Sequence, residues 1–103
     1  MPSSVLEYPF DWTHVTESTQ IATVQGTLHT ITINRPDPLA DTTITLYDSA
    51  DGADADNIIA VIGMDEAIFV VPNTLVYDVE FSYGLYVEFS AGFTVGNITV
   101  SWR

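Results

Sequence analysis

The chain has 103 residues, of which 47% are hydrophobic, and this length and composition predict one domain with a buried core. Fourteen acidic residues stand against two basic ones, and the resulting net charge of −12 repels nucleic acid and anionic lipid. We therefore expect neither nucleic acid nor a membrane as a partner, and no apolar run is long enough to span a bilayer. Cysteine is absent, which excludes disulfides, thiol catalysis and thiolate metal ligands.

Residues 1–19 have no clean hydrophobic period, and we expect them to form an extended N-terminal arm ahead of a domain over residues 20–103. The arm carries Tyr8, Phe10 and Trp12, separated by a proline and an acid. Proline lacks the N–H that a central strand needs, so a central strand is disfavoured here. The three aromatic residues are candidates for contact across a subunit boundary, because aromatic residues are enriched in interface cores. The alternative is that the arm packs back onto its own domain.

Short runs of apolar and β-branched residues, separated by turn residues, recur along the domain and are typical of β-strands. We expect strands over residues 20–25, 27–34, 42–48, 57–62, 67–71 and 98–103. The run 57–62 is almost continuously apolar, which predicts a strand buried on both faces. In the run 27–34, His29 has inward parity and is expected to be a hydrogen-bonded core residue. Leu28 is out of phase with it, and a bulge near Leu28 would reconcile the two.

The clearest pattern lies in residues 74–90, where every odd position from Leu75 to Phe89 is apolar. Successive side chains of a strand point to opposite faces, so this pattern predicts one buried face. The stretch is too long for one ordinary strand, and we expect two strands or a sharp bend at 82–84, with Gly84 as the easiest corner. A chain that keeps its inward parity through such a corner can pass from one sheet to a facing one.

About eight short strands with no helical period predict an all-β fold, namely a single antiparallel β-sandwich, jelly roll or small barrel. By parity, Tyr83 and Trp102 belong to the core. Tyr86 has outward parity, which makes it a candidate for contact with an interface or a ligand.

Groups able to carry out catalysis are few. The only histidines are His14 and His29, lysine is absent, and the chain contains no G-x-S-x-G motif, phosphate loop or dinucleotide fingerprint. We therefore expect no enzymatic activity.

The loop over residues 48–57 is acidic and contains Asp48, Asp51, Asp54 and Asp56. Hard cations prefer several oxygen ligands, so this loop is a weak candidate for a Ca²⁺ site, although its spacing departs from the EF-hand pattern. The other interpretation is a solvated acidic connection between strands, and on that interpretation the protein needs no cofactor.

Four segments carry a resemblance to a known class of protein: GTLHTITIN at 26–34, TITLYD at 43–48, LVYDVEFSYGL at 75–85 and NITVSWR at 97–103. Their order resembles small all-β virion proteins of tailed viruses of bacteria and archaea, often called head decoration proteins. The resemblance spans residues 26–103 and matches neither the acidic loop nor the arm.

The resemblance implies a structural protein on the outer surface of a viral capsid, where it would bind the major capsid protein as a homotrimer. Two alternatives stay open. One is a carbohydrate- or receptor-binding module of a tail or fibre, and the other is a free-standing acidic interaction domain. A fold by itself does not choose among them.

Overall fold

The computed structural model describes residues 10–38, 41–64 and 73–103. Within these ranges the chain forms eight β-strands and no helix. The strands are β1 (Asp11–Val15), β2 (Thr19–Ala22), β3 (Gly26–Arg35), β4 (Thr43–Tyr47), β5 (Ile58–Gly63), β6 (Asn73–Phe81), β7 (Leu85–Phe89) and β8 (Asn97–Trp102). The expected strand over 67–71 lies outside the described residues.

The strands form two antiparallel four-stranded sheets. Sheet A has the order β1-β8-β3-β6, and sheet B has the order β2-β7-β4-β5. The pairs β4–β5, β3–β6, β2–β7 and β1–β8 are nested one outside the next, as in a long hairpin folded over on itself. This nested pairing is that of a jelly roll, which confirms the predicted all-β antiparallel sandwich.

The core lies between the two sheets and is built from their inward-facing aliphatic residues. Sheet A contributes fully buried Leu28, Ile31, Ile33, Ile98 and Val100, and sheet B contributes Ile44, Leu46, Leu85 and Val87. Trp102 is partly buried and packs against this cluster, as its parity predicts. Burying each aliphatic side chain of this size stabilises the fold by about 1.5–3 kcal/mol.

The corner between β6 and β7 falls at residues 82–84, where it was expected. Phe81 ends β6 in sheet A and is 1% exposed, and Leu85 begins β7 in sheet B and is fully buried, so the inward parity is kept across the corner. A Cβ on Gly84 would lie 2.6 Å from Ala22 O and 2.7 Å from Ser49 O, which only glycine avoids. Tyr83 is 62% exposed, and its predicted place in the core is wrong because the corner turns it outward.

A bulge lies at His29, as expected near Leu28. The register of β3 shifts between Leu28 and Thr30 against both of its neighbours, β6 and β8. The shift places Leu28 on the buried face, while the His29 side chain is 34% exposed and bonds to Asp78 of β6. The prediction that His29 is a core residue is therefore wrong, because the bulge brings Leu28 inward and leaves His29 at the surface.

Strand β5 is an edge strand of sheet B, with Ile58 50% and Val61 60% exposed. The expectation of a strand buried on both faces is wrong, because within the described part of the chain no element covers the exposed face of β5 that carries these two residues. At the other side of the molecule, Asp11–Val15 pairs with β8 as the edge strand of sheet A. The structure thus places a sandwich strand inside the stretch that we expected to be an arm.

Candidate functional site

The first acid of the loop over 48–57, Asp48, is engaged by backbone N–H groups of the corner at 82–84. Ser82 N–H donates to Asp48 Oδ2 at 2.8 Å, and Tyr83 N–H donates to Oδ1 at the same distance. Gly84 N–H adds a longer bond of 3.4 Å to Oδ1. Burial opposes ionisation of this carboxyl, but the three backbone donors outweigh it and hold the pKa of Asp48 below its ordinary value of 3.8.

The rest of the loop is held by local hydrogen bonds and by Gln20 of β2. Asp54 Oδ1 accepts from Asp56 N–H at 3.0 Å, which closes a local turn. The Gln20 side chain donates to Ser49 O at 2.7 Å and accepts from Gly52 N–H at 3.0 Å. This clamp fixes the start of the loop on sheet B, and sequence reasoning missed it because a single glutamine in a strand carries no signal.

The described residues contain no group of three or more histidine, aspartate or glutamate side chains arranged to hold a metal ion. Asp48, Asp51, Asp54 and Asp56 all lie in the described ranges. Of these, Asp48 turns its oxygens toward the backbone of residues 82–84. A Ca²⁺ site in this loop stays a prediction.

A second aspartate, Asp37, has the same role as Asp48 and was not expected from the sequence. It follows β3, is fully buried, and its Oδ1 accepts from the N–H groups of Thr94, Val95 and Gly96 at 2.9, 2.9 and 2.8 Å. Successive N–H groups that converge in this way form an anion-binding concavity. The available signal was an acid between two prolines directly after a strand, since proline cannot donate to a strand ladder and such a segment marks the end of β3.

The aromatic residues expected in an arm have separate places. Tyr8 lies outside the described residues. The Phe10 ring stacks on His29, with ring centroids 4.2 Å apart and an interplanar angle of 10°. Trp12 lies on β1 and is 45% exposed, pointing away from the core. Phe10 thus packs on its own domain, whereas Trp12 presents an exposed aromatic surface.

The outer face of sheet B brings Tyr86 together with apolar residues of β4 and β5. Tyr86 lies beside Tyr47, with ring centroids 6.3 Å apart, and Tyr47 lies beside Ile58 across the next strand pair. In the neighbouring row, Thr45 separates Glu88 from Val61. We call Tyr47, Ile58, Val61 and Tyr86 the sheet B patch.

One polar contact anchors the sheet B patch. Tyr47 O–H donates to Glu88 Oε1 at 2.6 Å. This bond, the burial of the ring and the charge of Glu88 raise the pKa of Tyr47 above 10.0. The patch therefore has a fixed aromatic centre with exposed aliphatic residues on its edge strand.

The histidines are each used in a contact between strands. His14 Nε2–H donates to Asn97 Oδ1 at 2.9 Å, linking β1 to β8, and His29 Nδ1 bonds to Asp78 Oδ1, linking β3 to β6.

A groove of about 370 Å³ lies at one end of the sandwich. It is lined by Gln25, Gly26, Thr27, Glu80, Phe81, Ser82 and Arg103.

No protein-family model matches this chain, and neither a curated protein nor a solved structure gives a significant match. In the described part of the chain, no helix is long and apolar enough to cross a membrane. Function is therefore inferred from the surfaces of the sandwich.

Proposed function

We propose that this protein is a non-catalytic structural protein of a viral head, which decorates the outer surface of the capsid and binds the major capsid protein. The sheet B patch is the observation that supports the proposal best. In addition, the jelly roll occurs among capsid proteins, although it also occurs in lectins and cupins, so the fold alone does not select this function.

The sheet B patch has the properties of a protein contact surface. Ile58 and Val61 are at least half exposed on an edge strand, and half-buried Tyr86 continues the apolar surface inward. Tyr47 lies between Tyr86 and Ile58 and is itself buried. Exposed apolar clusters mark interaction sites, and aromatic residues are enriched at the centres of such sites. Edge strands also present unpaired backbone groups that proteins normally protect. Contact with a capsid subunit would cover both the patch and the edge.

Charge is consistent with the same arrangement. A net charge of −12 keeps a protein soluble and disfavours contact between its own copies in dilute buffer. Within strands β4, β5 and β7 the one carboxylate is that of Glu88, whose oxygen accepts from Tyr47, so these strands present little free charge to an approaching partner. The homotrimer that the resemblance implies is also a proposal, and sedimentation of the purified protein in physiological and high salt tests it.

The decisive experiment adds purified protein to capsids that lack it and measures the bound amount by co-sedimentation. We expect wild-type protein to bind at a copy number set by the capsid symmetry, and Val61→Asp to abolish binding because it buries a charge at the contact. Val24→Asp is the matched control, since Val24 is 69% exposed and lies outside the patch. Equal binding by both variants, or no binding by the wild type, contradicts the proposal.

The alternative is a carbohydrate- or receptor-binding module of a tail or fibre, and the exposed aromatic surface at Tyr86 is compatible with it. Gold-labelled antibody against the protein distinguishes the two functions directly. Label over the heads of intact particles supports decoration, whereas label confined to tails supports the alternative.

A further inference from the structure

The outer face of sheet A carries two neighbouring rows of residues without an acidic side chain, although Asp78 and Glu80 are exposed on β6 of the same sheet. One row across the sheet pairs Trp12 with Ser101, Ser101 with Thr30, and Thr30 with Val76. A carboxylate occurs nowhere in this row, although 14 of the 103 residues are acidic.

The adjacent row continues the pattern with hydroxyl groups and an imidazole. His14 pairs with Thr99, Thr99 with Thr32, and Thr32 with Thr74. The residues of both rows alternate with buried core residues, so their side chains share the outward face. With strands about 4.8 Å apart, a four-stranded row spans about 14 Å.

Hydrogen bonds across the strands hold this polar face in a fixed arrangement. Thr32 Oγ1 lies 3.0 Å from Thr74 Oγ1, and Asn34 Nδ2–H donates to Thr99 Oγ1 at 2.9 Å. Each threonine hydroxyl has one donor and two acceptor sites, so one internal bond leaves it able to bond to a ligand. Side chains ordered before binding lose less conformational entropy when a ligand arrives.

Aromatic and apolar groups border the hydroxyl groups. Trp12, 45% exposed, stands at one edge of the row, and Val76, 66% exposed, stands at the other. An indole offers a broad apolar surface, which suits the C–H face of a sugar ring, and the hydroxyl and amide groups beside it suit sugar hydroxyls. A protein partner would match the larger apolar surface of sheet B better.

We propose that the outer face of sheet A is a binding site for a neutral polysaccharide chain, with Trp12 as the stacking platform and the Thr–Ser rows as hydrogen-bonding partners. The absence of carboxylates from the rows avoids burying charge against an uncharged ligand. The rows contain no arginine or lysine, and the net charge of −12 disfavours acidic glycans. This site is separate from the sheet B patch and does not depend on the proposed contact with a capsid.

Isothermal titration with defined oligosaccharides tests the proposal. The neutral probes are cellohexaose, laminarihexaose, maltohexaose, mannohexaose and chitohexaose, and an oligogalacturonate is the charged counterpart. We expect the wild-type protein to bind at least one neutral probe and to bind oligogalacturonate more weakly than that probe.

Two variants on different strands and one control locate the site. Trp12→Ala removes the platform and Thr32→Asp places a charge within the second row, and we expect each to weaken binding of the neutral probe by about tenfold or more. Tyr86→Ala, on the outer face of sheet B, is expected to leave binding unchanged. Circular dichroism and thermal melting show whether each variant is folded, and since Trp12 and Thr32 face outward, both are expected to be.

Three results would overturn the proposal. The first is no binding of any neutral probe at millimolar concentration, and the second is equal or tighter binding of oligogalacturonate. The third is binding that survives Trp12→Ala and Thr32→Asp in the folded proteins, or that is lost in Tyr86→Ala, since either moves the site away from sheet A.

Discussion

Asp37 and Asp48 occupy equivalent positions in the two sheets of the sandwich. Asp37 follows β3 and accepts from the N–H groups at 94–96, which lead into β8, the neighbour of β3. Asp48 follows β4 and accepts from the N–H groups at 82–84, which lead into β7, the neighbour of β4. In each sheet, an acid at the end of one strand therefore fixes the loop that enters the adjacent strand.

The two acids differ in their surroundings. Asp37 is fully buried between two prolines, whereas Asp48 is half-buried at the start of the acidic loop. The role of an acid here depends on whether backbone N–H groups converge on it, and not on how many acids surround it. Asp51 and Asp56 are exposed side chains in the most acidic loop of the chain, yet the capping is done by Asp48.

Replacing Asp37 is expected to cause the largest loss of stability. Asp37→Ala leaves three N–H groups without their acceptor next to the core, which we expect to lower the free energy of unfolding by about 3–5 kcal/mol. Urea denaturation followed by tryptophan fluorescence measures the loss. If the loss is no larger than that caused by Asp48→Ala, burial of Asp37 does not add to the stability that its hydrogen bonds contribute, and the expected difference between the two acids is absent.

Asp48→Ala is expected to lower the free energy of unfolding by about 2 kcal/mol, because water can reach the freed N–H groups more easily. The loss should depend on pH. The folded protein keeps Asp48 ionised to lower pH than the unfolded chain does, so the stabilisation is present above the ordinary pKa of 3.8 and is lost as the pH falls through the lowered pKa.

The difference in free energy of unfolding between wild type and Asp48→Ala isolates this effect from the other acids. We expect the difference to be constant from neutral pH to about pH 4 and to shrink below it. A difference that grows as the pH falls would show that the backbone bonds do not hold the ionised form.

Tyr47→Phe removes a side-chain donor to a carboxylate, the Tyr47 hydroxyl that donates to Glu88. The carboxylates of Asp37 and Asp48, in contrast, accept from backbone N–H groups. Tyr47 is 8% exposed, and its bond to Glu88 is partly buried, so we expect a loss of about 1 kcal/mol in urea denaturation. Because the pKa of Tyr47 is raised, this contribution is present at neutral pH and disappears as the pH rises through that pKa. A loss equal to that of Asp37→Ala would contradict the ranking.

Asp51→Asn is expected to have the smallest effect, a change within about 0.5 kcal/mol, because Asp51 is an exposed acid on the surface of the loop. The same variant tests the Ca²⁺ hypothesis. We expect calcium added to EDTA-treated protein to leave the Tm unchanged, because Asp48 already bonds to backbone N–H groups. A calcium-dependent rise in Tm that Asp51→Asn removes would assign the loop to a cation.

The sequence predicts the fold of this chain because its strands follow a period of two. The alternation over 74–90 and the glycine at 84 locate the β6–β7 corner, and the parity conflict at Leu28 locates the bulge. The strand β1 was missed because its inward positions include Asp11 and Thr13, which lack the apolar signal. An edge strand and a strand buried on both faces also look alike in a continuous apolar run such as 57–62.

The surface residues were predictable only in part. Outward parity correctly predicted that Tyr86 lies on the outer face of sheet B, while its role as a contact residue stays a prediction. Its neighbours Tyr47 and Ile58 come from other strands and depend on the register. The caps made by Asp37 and Asp48 depend on backbone N–H groups distant in sequence, and no side-chain pattern records where these point. Composition drew attention to the acidic loop, although the low-charge rows of sheet A emerge only when four strands are placed side by side.

We propose that the acids capping loops serve the fold, whereas the outer faces of the sheets bind partners. Hydrogen–deuterium exchange of the free and capsid-bound protein tests this division of roles. We expect new protection in β5 and in the part of β7 around Tyr86, with the loop over 48–57 unchanged. Protection confined to the acidic loop, or no difference in either sheet on a capsid that retains the protein, would overturn the proposal.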